Sequence, residues 1–193
     1  VYVEKGGEII PKIIGVNLDL RPIDSIPVNY PTQCPVCETT LIRKEGEAHH
    51  YCPNDRGCPP QLKGKIEHFI GRKMMNIDGL GAETVDQLFE AKLINNIADL
   101  YSLTKEQVLP LERMAEKSAN KLIDGVEASK KVGFSKVLFA LGIRYVGETV
   151  AKKLAKHFKS MDNIQKATLE ELIKVDEIGD RIAESLVEYF ADE

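Results

Sequence analysis

The sequence predicts a mainly α protein. Four helix-hairpin-helix repeats, paired as two double hairpins, follow a small four-cysteine zinc finger and a partial β segment. Three observations lead there. The second half repeats itself every 32 to 34 residues, all 4 cysteines fall between positions 34 and 58, and β-branched runs flank a Gly6-Gly7 turn near the start. The expected divisions are a β segment and linker over 1–24, the zinc finger over 25–62 and the hairpin domain over 63–193.

The β segment comes first. Val1-Tyr2-Val3, then Gly6-Gly7, then Glu8-Ile9-Ile10-Pro11-Lys12-Ile13-Ile14-Gly15-Val16 reads as two strands about a turn. Two strands alone are marginal in water, so the pair is expected to be the remnant of a larger β domain. The chain opens without Met and without a basic-then-apolar leader, which suggests a piece cut from a longer protein. Pro22, Pro27, Pro31 and Pro35 mark an extended linker.

The cysteines are spaced Cys34-x2-Cys37-x14-Cys52-x5-Cys58. Two close pairs separated by a short loop suit four thiolates around one Zn²⁺. The second gap is wider than the usual two residues. Two disulfides would fit an oxidising compartment, and a thioredoxin-like redox pair would want a strand before Cys34 and a helix after Cys37. Zinc on Cys34, Cys37, Cys52 and Cys58 is the preferred reading. His49 and His50 are available ligands, but four cysteines already fill the shell. With no position left open, the metal would be structural and would staple a segment too small to bury a core.

Composition bounds the function. With 43% apolar and 29% charged residues in 193, the chain is neither disordered nor membrane-spanning; its longest apolar stretch, Val137–Ile143, is too short for a bilayer. Net charge is −4, and residues 76–193 carry 16 Lys and Arg against 21 Asp and Glu. Any phosphate binding must therefore be local. No Trp and 6% aromatics argue against a stacking platform for single-stranded bases.

The repeat reads apolar-x-x-apolar-small, then a small or branched residue, then Leu. Its copies are Ile77-Asp78-Gly79-Leu80-Gly81 with Val85 and Leu88, and Leu111-Glu112-Arg113-Met114-Ala115 with Ala119 and Leu122. Ile143-Arg144-Tyr145-Val146-Gly147 with Ala151 and Leu154, and Val175-Asp176-Glu177-Ile178-Gly179 with Ala183 and Leu186, complete the set. A fixed period of this size signals a repeated supersecondary unit. Apolar spacing after each turn follows one helical face, so each copy is helix, tight turn, helix. Thr104-x-x-Gln107 and Thr168-x-x-Glu171 are capping boxes ahead of the second and fourth copies alone, which pairs copies one with two and three with four.

A helix starting at a small residue presents unpaired N–H groups to an anion, and the usual anion of this motif is a DNA phosphate. The candidate contacts are Gly79, Leu80 and Gly81; Arg144, Val146 and Gly147; Lys117 in the second copy; and Gly179 in the fourth. Arg113 and Ala115 replace both glycines of copy two, Glu177 replaces the first of copy four, and Asp180 follows its second. Lys63, Lys65, Arg72 and Lys73, against Glu67 alone, form a basic run leading into the first hairpin; Arg72 and Lys73 join the candidates. A helical array that only packs, or binds protein, is the competing reading.

Taken together, these residues resemble the C-terminal part of bacterial NAD-dependent DNA ligases. Gly7-Glu8-Ile9-Ile10-Pro11-Lys12 is similar to a motif near the end of that family's OB-fold domain. Cys34-Pro35-x-Cys37, Cys52-Pro53-Asn54 and Cys58-Pro59-x-Gln61 match its zinc finger. His68-Phe69, Arg72, Asp78-Gly79-Leu80-Gly81 and Ala140-Leu141-Gly142-Ile143-Arg144-x-Val146-Gly147 match its hairpin region. The resemblance covers essentially the whole chain. It implies an intact cytoplasmic, monomeric enzyme that takes AMP from NAD, uses Mg²⁺ and seals nicks in duplex DNA during replication and repair. The family's nucleophilic Lys-x-Asp-Gly motif does not occur here; Lys121-Leu122-Ile123-Asp124-Gly125 has one residue too many. This chain is therefore expected to hold no catalytic or NAD-binding residue and to supply the grip on duplex DNA. A free-standing DNA-binding module, or the tail of a structure-specific nuclease, stands as the alternative; a nuclease would need a carboxylate cluster, and none stands out away from helix surfaces.

Overall fold

The computed structural model describes residues 1–7 and 10–191. Strands β1 (Tyr2–Gly6) and β2 (Ile10–Gly15) pair antiparallel, with Val3 opposite Ile13, Glu4 opposite Lys12 and an irregularity between Tyr2 and Val3. Glu8 and Ile9 of the matched motif lie outside the described residues. The described sheet has these two strands. Tyr2, Val3, Ile10, Ile13 and Ile14 are all exposed, as are Ile23, Ile26 and Val28 in the linker. That linker is extended apart from one turn of 3-10 helix, Leu18–Leu20, which Asn17 caps.

Two isolated bridges, Gln33 with Thr40 and Ile42 with Tyr51, build the cysteine segment. It runs directly into α1 (Pro59–Ile70), with Cys58 at the N-cap and proline in the first turn, where a missing N–H costs nothing. Eight more helices follow among the described residues: α2 (Ala82–Glu90), α3 (Lys105–Val108), α4 (Glu116–Ser129), α5 (Phe134–Ala140), α6 (Glu148–Phe158), α7 (Met161–Gln165), α8 (Leu169–Ile173) and α9 (Asp180–Ala191).

The four hairpins are α1–α2, α3–α4, α5–α6 and α8–α9, and their turns are the four sequence copies. Each pair of hairpins has its own core. Ile66, Phe69, Ile77, Leu80, Val85, Leu88, Ala119 and Leu122 belong to the first, which joins copies one and two. Leu138, Ile143, Val146, Ala151, Leu154, Val175, Ile178 and Leu186 belong to the second, which joins copies three and four. The pairing expected from the capping boxes is borne out, and so are the boxes: the Thr104 N–H donates to Gln107 Oε1 at 2.9 Å, and the Thr168 N–H donates to Glu171 Oε2 at 2.9 Å. Helix α5 belongs to both units, since Leu138 packs in the second core and Ala140 in the first. His68 of α1 fixes that junction, with Nε2 3.1 Å from the Phe139 carbonyl and its ring edge-on to Phe139.

Candidate metal centre and nucleic-acid interface

The four cysteine sulfurs lie within 4.8 Å of one another and form no disulfide. Cys34 and Cys58 sulfurs are 3.9 Å apart, and those of Cys37 and Cys52 are 3.5 Å apart. A tetrahedron of thiolates about Zn²⁺, with bonds near 2.3 Å, has edges of roughly 3.8 Å, so the donor set fits that ion. The first knuckle closes through the Cys34 N–H to the Thr39 carbonyl and the Glu38 N–H to the Cys34 carbonyl, with Glu38 left-handed at φ 58°. The wide second gap is taken up by a turn: the Cys58 N–H reaches the Asn54 carbonyl at 3.0 Å, and Gly57 packs so tightly that a Cβ would stand 2.6 Å from Asn54 Oδ1. Gln61 Nε2 donates to the Cys52 carbonyl, tying the knuckle to α1.

Acidity within the cluster is uneven. Hydrogen bonds to Thr39, side chain first and then backbone, draw the Cys37 thiol down to about 6. Burial pushes Cys52 up to about 12 and raises Cys58. Cys37 is thus drawn toward the thiolate, whereas Cys52 and Cys58 are held toward the thiol, a balance that a bound cation's charge would shift.

The four turns are alike in backbone. Their third residues, Gly79, Arg113, Tyr145 and Glu177, are all left-handed, at φ 86°, 59°, 66° and 63°. Loss of glycine in three copies has therefore not changed the bend. At Gly79 the glycine answers to packing: a Cβ there would meet the Leu122 amide nitrogen at 3.0 Å and its Cα at 3.2 Å. Gly125 completes this interlock of the first turn with α4, since its Cβ would fall 2.4 Å from the Asp78 carbonyl oxygen.

The fifth residues behave differently. Gly81, Ala115 and Gly147 N-cap α2, α4 and α6 with extended, negative-φ backbone, and Gly179 precedes α9. A Cβ on Gly81, Gly147 or Gly179 would meet nothing within 4 Å. Leu80 and Val146 are buried in the cores, so only their main chain is available to a ligand. Acidic first turns recur in every copy, through Glu83, Glu116, Glu148 and Asp180, so Asp180 does not set the fourth apart; acids there complement the helix dipole.

Of the basic run, Lys63 pairs with Asp86 at 2.7 Å and Lys65 with Asp55 at 3.0 Å, whereas Arg72 and Lys73 stand exposed in the α1–α2 link. The link approaches two hairpins at once. Lys121 foremost, with a smaller contribution from Arg72, holds the Asp78 carboxyl below its ordinary range. Lys152 foremost, with smaller contributions from Lys73 and Lys136, does the same for Glu148 at the start of α6. Lys117 is exposed in the first turn of α4. Arg144 is engaged: its Nη2 lies 2.8 Å from Glu47 Oε1 in the cysteine segment.

Sequence reasoning missed the ties between elements. Lys121 bridges α4 to Asp78, and Lys153 bridges α6 to both Asp176 and Glu177 at 2.9 and 2.7 Å. A charge at the second position of all four copies was the available signal. Nothing in the sequence pointed to Glu47.

Three family models match the chain: the NAD-dependent DNA ligase C4 zinc finger domain over 33–59, the SAM-like helix-hairpin-helix tandem over 71–128 and the helix-hairpin-helix motif over 136–193. Relatives named DNA ligase are similar along nearly the whole chain. That of Christiangramia forsetii is 65% identical over 98% of the chain, that of Flavobacterium psychrophilum 64% over 98%, and that of Phocaeicola vulgatus 61% over 100%. The chain spans 28–29% of the length of these relatives. With a match to the NAD-dependent DNA ligase zinc finger followed by two helix-hairpin-helix matches, the chain is similar to the portion of those DNA ligases that carries the same elements.

Proposed function

We propose that this chain is the duplex-gripping portion of an NAD-dependent DNA ligase. It holds DNA across the minor groove on either side of a nick, through main-chain N–H groups at its hairpin turns. The observation that carries this reading is the set Gly81, Gly147 and Gly179. None needs glycine for its own backbone or for packing within the chain. A bare N-terminus with open space before it suits a partner that comes close, and phosphate oxygens are the anions such amides accept. The exposed Arg72, Lys73 and Lys117 add local positive charge to an acidic molecule. Gly79 serves the same surface indirectly, by seating the first turn on α4.

Cys34, Cys37, Cys52 and Cys58 would hold one structural zinc ion, which supplies charge and cross-linking but no open coordination site. The residues themselves orient α1 and, through it, the first hairpin. The strand pair is read as the end of an OB-fold domain, and the zinc finger as the element that sets its angle to the hairpins. In the intact enzyme, NAD and Mg²⁺ would act outside this chain, whose partner is nicked double-stranded DNA and whose working form is a cytoplasmic monomer. Catalytic residues are assigned to none of its positions.

Titration of the metal-loaded chain with a fluorescent nicked duplex tests this. Binding should be indifferent to sequence and fall steeply with salt, because phosphate contacts release counterions. No binding at low salt, or sequence-selective binding that survives high salt, refutes the reading. An AMP adduct formed by this chain with NAD would refute the absence of a nucleophile.

A further inference from the structure

The second residue of each hairpin turn is charged, and three of the four are acidic: Asp78, Glu112 and Asp176, against Arg144. The acidic ones stay within their own double hairpin. Asp78 pairs with Lys121, Asp176 with Lys153, and Glu112 with its neighbour Arg113. Arg144 alone among them reaches out of the repeat, to Glu47 in the cysteine segment 97 residues earlier.

Its surroundings are built from both sides. Arg43 Nε donates to the Glu47 carbonyl at 2.6 Å, anchoring the backbone that carries the carboxylate. The Arg144 guanidinium carbon lies 5.9 Å from the Tyr51 ring centre and 5.0 Å from that of Tyr145. Tyr51 is paired in both directions with Ile42, at 2.8 and 2.7 Å, and is followed by Cys52. Tyr145 is the residue in the left-handed bend, at φ 66°, a conformation that a bulky side chain keeps only when its surroundings impose it. Tyr51 foremost, and then Arg144, holds the Glu47 carboxyl below its ordinary range, in keeping with an ion pair that stays formed.

We propose that Glu47 and Arg144 form a latch by which the zinc finger positions the third hairpin. Arg144 is then a positioning residue that clamps the Tyr145 bend, and not a phosphate ligand; Glu47 is its counterpart. The claim that this clamp matters for DNA rests on the function proposed above. The clamp itself does not.

The test uses the whole metal-loaded chain and the variants Glu47→Gln, Arg144→Gln, the double variant, and the exchange Glu47→Arg with Arg144→Glu. Hydrogen exchange is read at the Val146 amide, which closes the turn by bonding the Ile143 carbonyl at 3.0 Å, with the equivalent Ile178 amide as internal control. Both single variants, and removal of metal by a chelator, should speed exchange at Val146 and leave Ile178 unchanged. The exchanged pair should restore slow exchange. Unchanged Val146 exchange in both single variants overturns the latch, whether or not DNA binds.

With nicked duplex, each single variant should weaken affinity by a similar factor, roughly two- to fivefold. The double variant should be no worse than either alone, since both remove one interaction. The slope of log affinity against log salt should stay as in the unmodified chain. Should Arg144→Gln instead lower that slope by about one, while Glu47→Gln binds as well or better, Arg144 is a phosphate ligand and the latch is wrong. If the unmodified chain fails to bind duplex, the proposed function falls while the exchange data still decide the latch.

Discussion

Gly79→Ala and Gly81→Ala separate a glycine held by packing from a glycine left open. The residues are two apart in one turn, yet their surroundings differ. At 79 the new methyl must sit at φ 86° and meet main-chain atoms of α4 at 3.0–3.2 Å. Left-handed strain costs an L-residue about 1–2 kcal/mol, and forcing a methyl against an unyielding neighbour adds about 1–3 kcal/mol. The sum is about 2–5 kcal/mol, or roughly 4–20 °C in melting temperature for a chain of this size. At 81 the backbone is extended, the methyl meets nothing within 4 Å, and Ala115 already occupies the same position in copy two. The cost there is under about 1 kcal/mol, the loss expected when alanine replaces glycine at an N-cap. Thermal denaturation of the metal-loaded chain, followed by circular dichroism, gives the comparison directly. A Gly79→Ala variant that melts with the unmodified chain, or a Gly81→Ala variant that melts well below it, would refute the assignment of these two glycines.

Aspartate at the open positions should act on binding and not on folding: Gly81→Asp, Gly147→Asp and Gly179→Asp should each weaken nicked-duplex affinity by about 1–3 kcal/mol at nearly unchanged melting temperature, as fluorescence anisotropy would measure. Gly125→Ala should damage the first double hairpin at least as much as Gly79→Ala, because its methyl would be 2.4 Å from a carbonyl oxygen; chemical denaturation reads this. Metal analysis should find about one zinc per chain, and a chelator should disorder residues 33–58 while most helical ellipticity survives, because each double hairpin has its own core. The Asp78 carboxyl is held below its ordinary range by Lys121. Its stabilising contribution is therefore present above the unfolded-state value near 4 and is lost as pH falls through the lower folded-state value. Asp78→Asn should accordingly flatten the acid limb of a stability–pH profile of the metal-loaded chain.

Much of this architecture was legible before any coordinates. Helical spacing at Val85/Leu88 and its three counterparts fixed where the hairpins fall, since a buried stripe on a helix has one periodicity. Thr104 and Thr168 gave the pairing of copies, because an N-terminal cap is a local hydrogen-bond pattern that neighbours rarely override. The cysteine cluster was legible from spacing alone.

What stayed hidden was long-range or backbone-specific. Glycine at 79 and at 81 looked equivalent in the sequence, and only the approach of α4 distinguishes them. Arg113 and Glu177 looked like departures from the glycine pattern, yet each adopts the same left-handed bend as Gly79. Lys63 and Lys65 looked available to phosphate, and each is paired with an aspartate. Glu47 gave no sign, because a contact 97 residues away leaves no local pattern.

Helix α5 places Leu138 in one core and Ala140 in the other, two residues apart on seven residues of helix. The two halves therefore share a girder too short to flex. A substitution in this stretch cannot be absorbed by one half alone, so sequence drift should be tolerated least here. A lesion at 138–140 would misalign both double hairpins together, although neither Leu138 nor Ala140 lies at a hairpin turn.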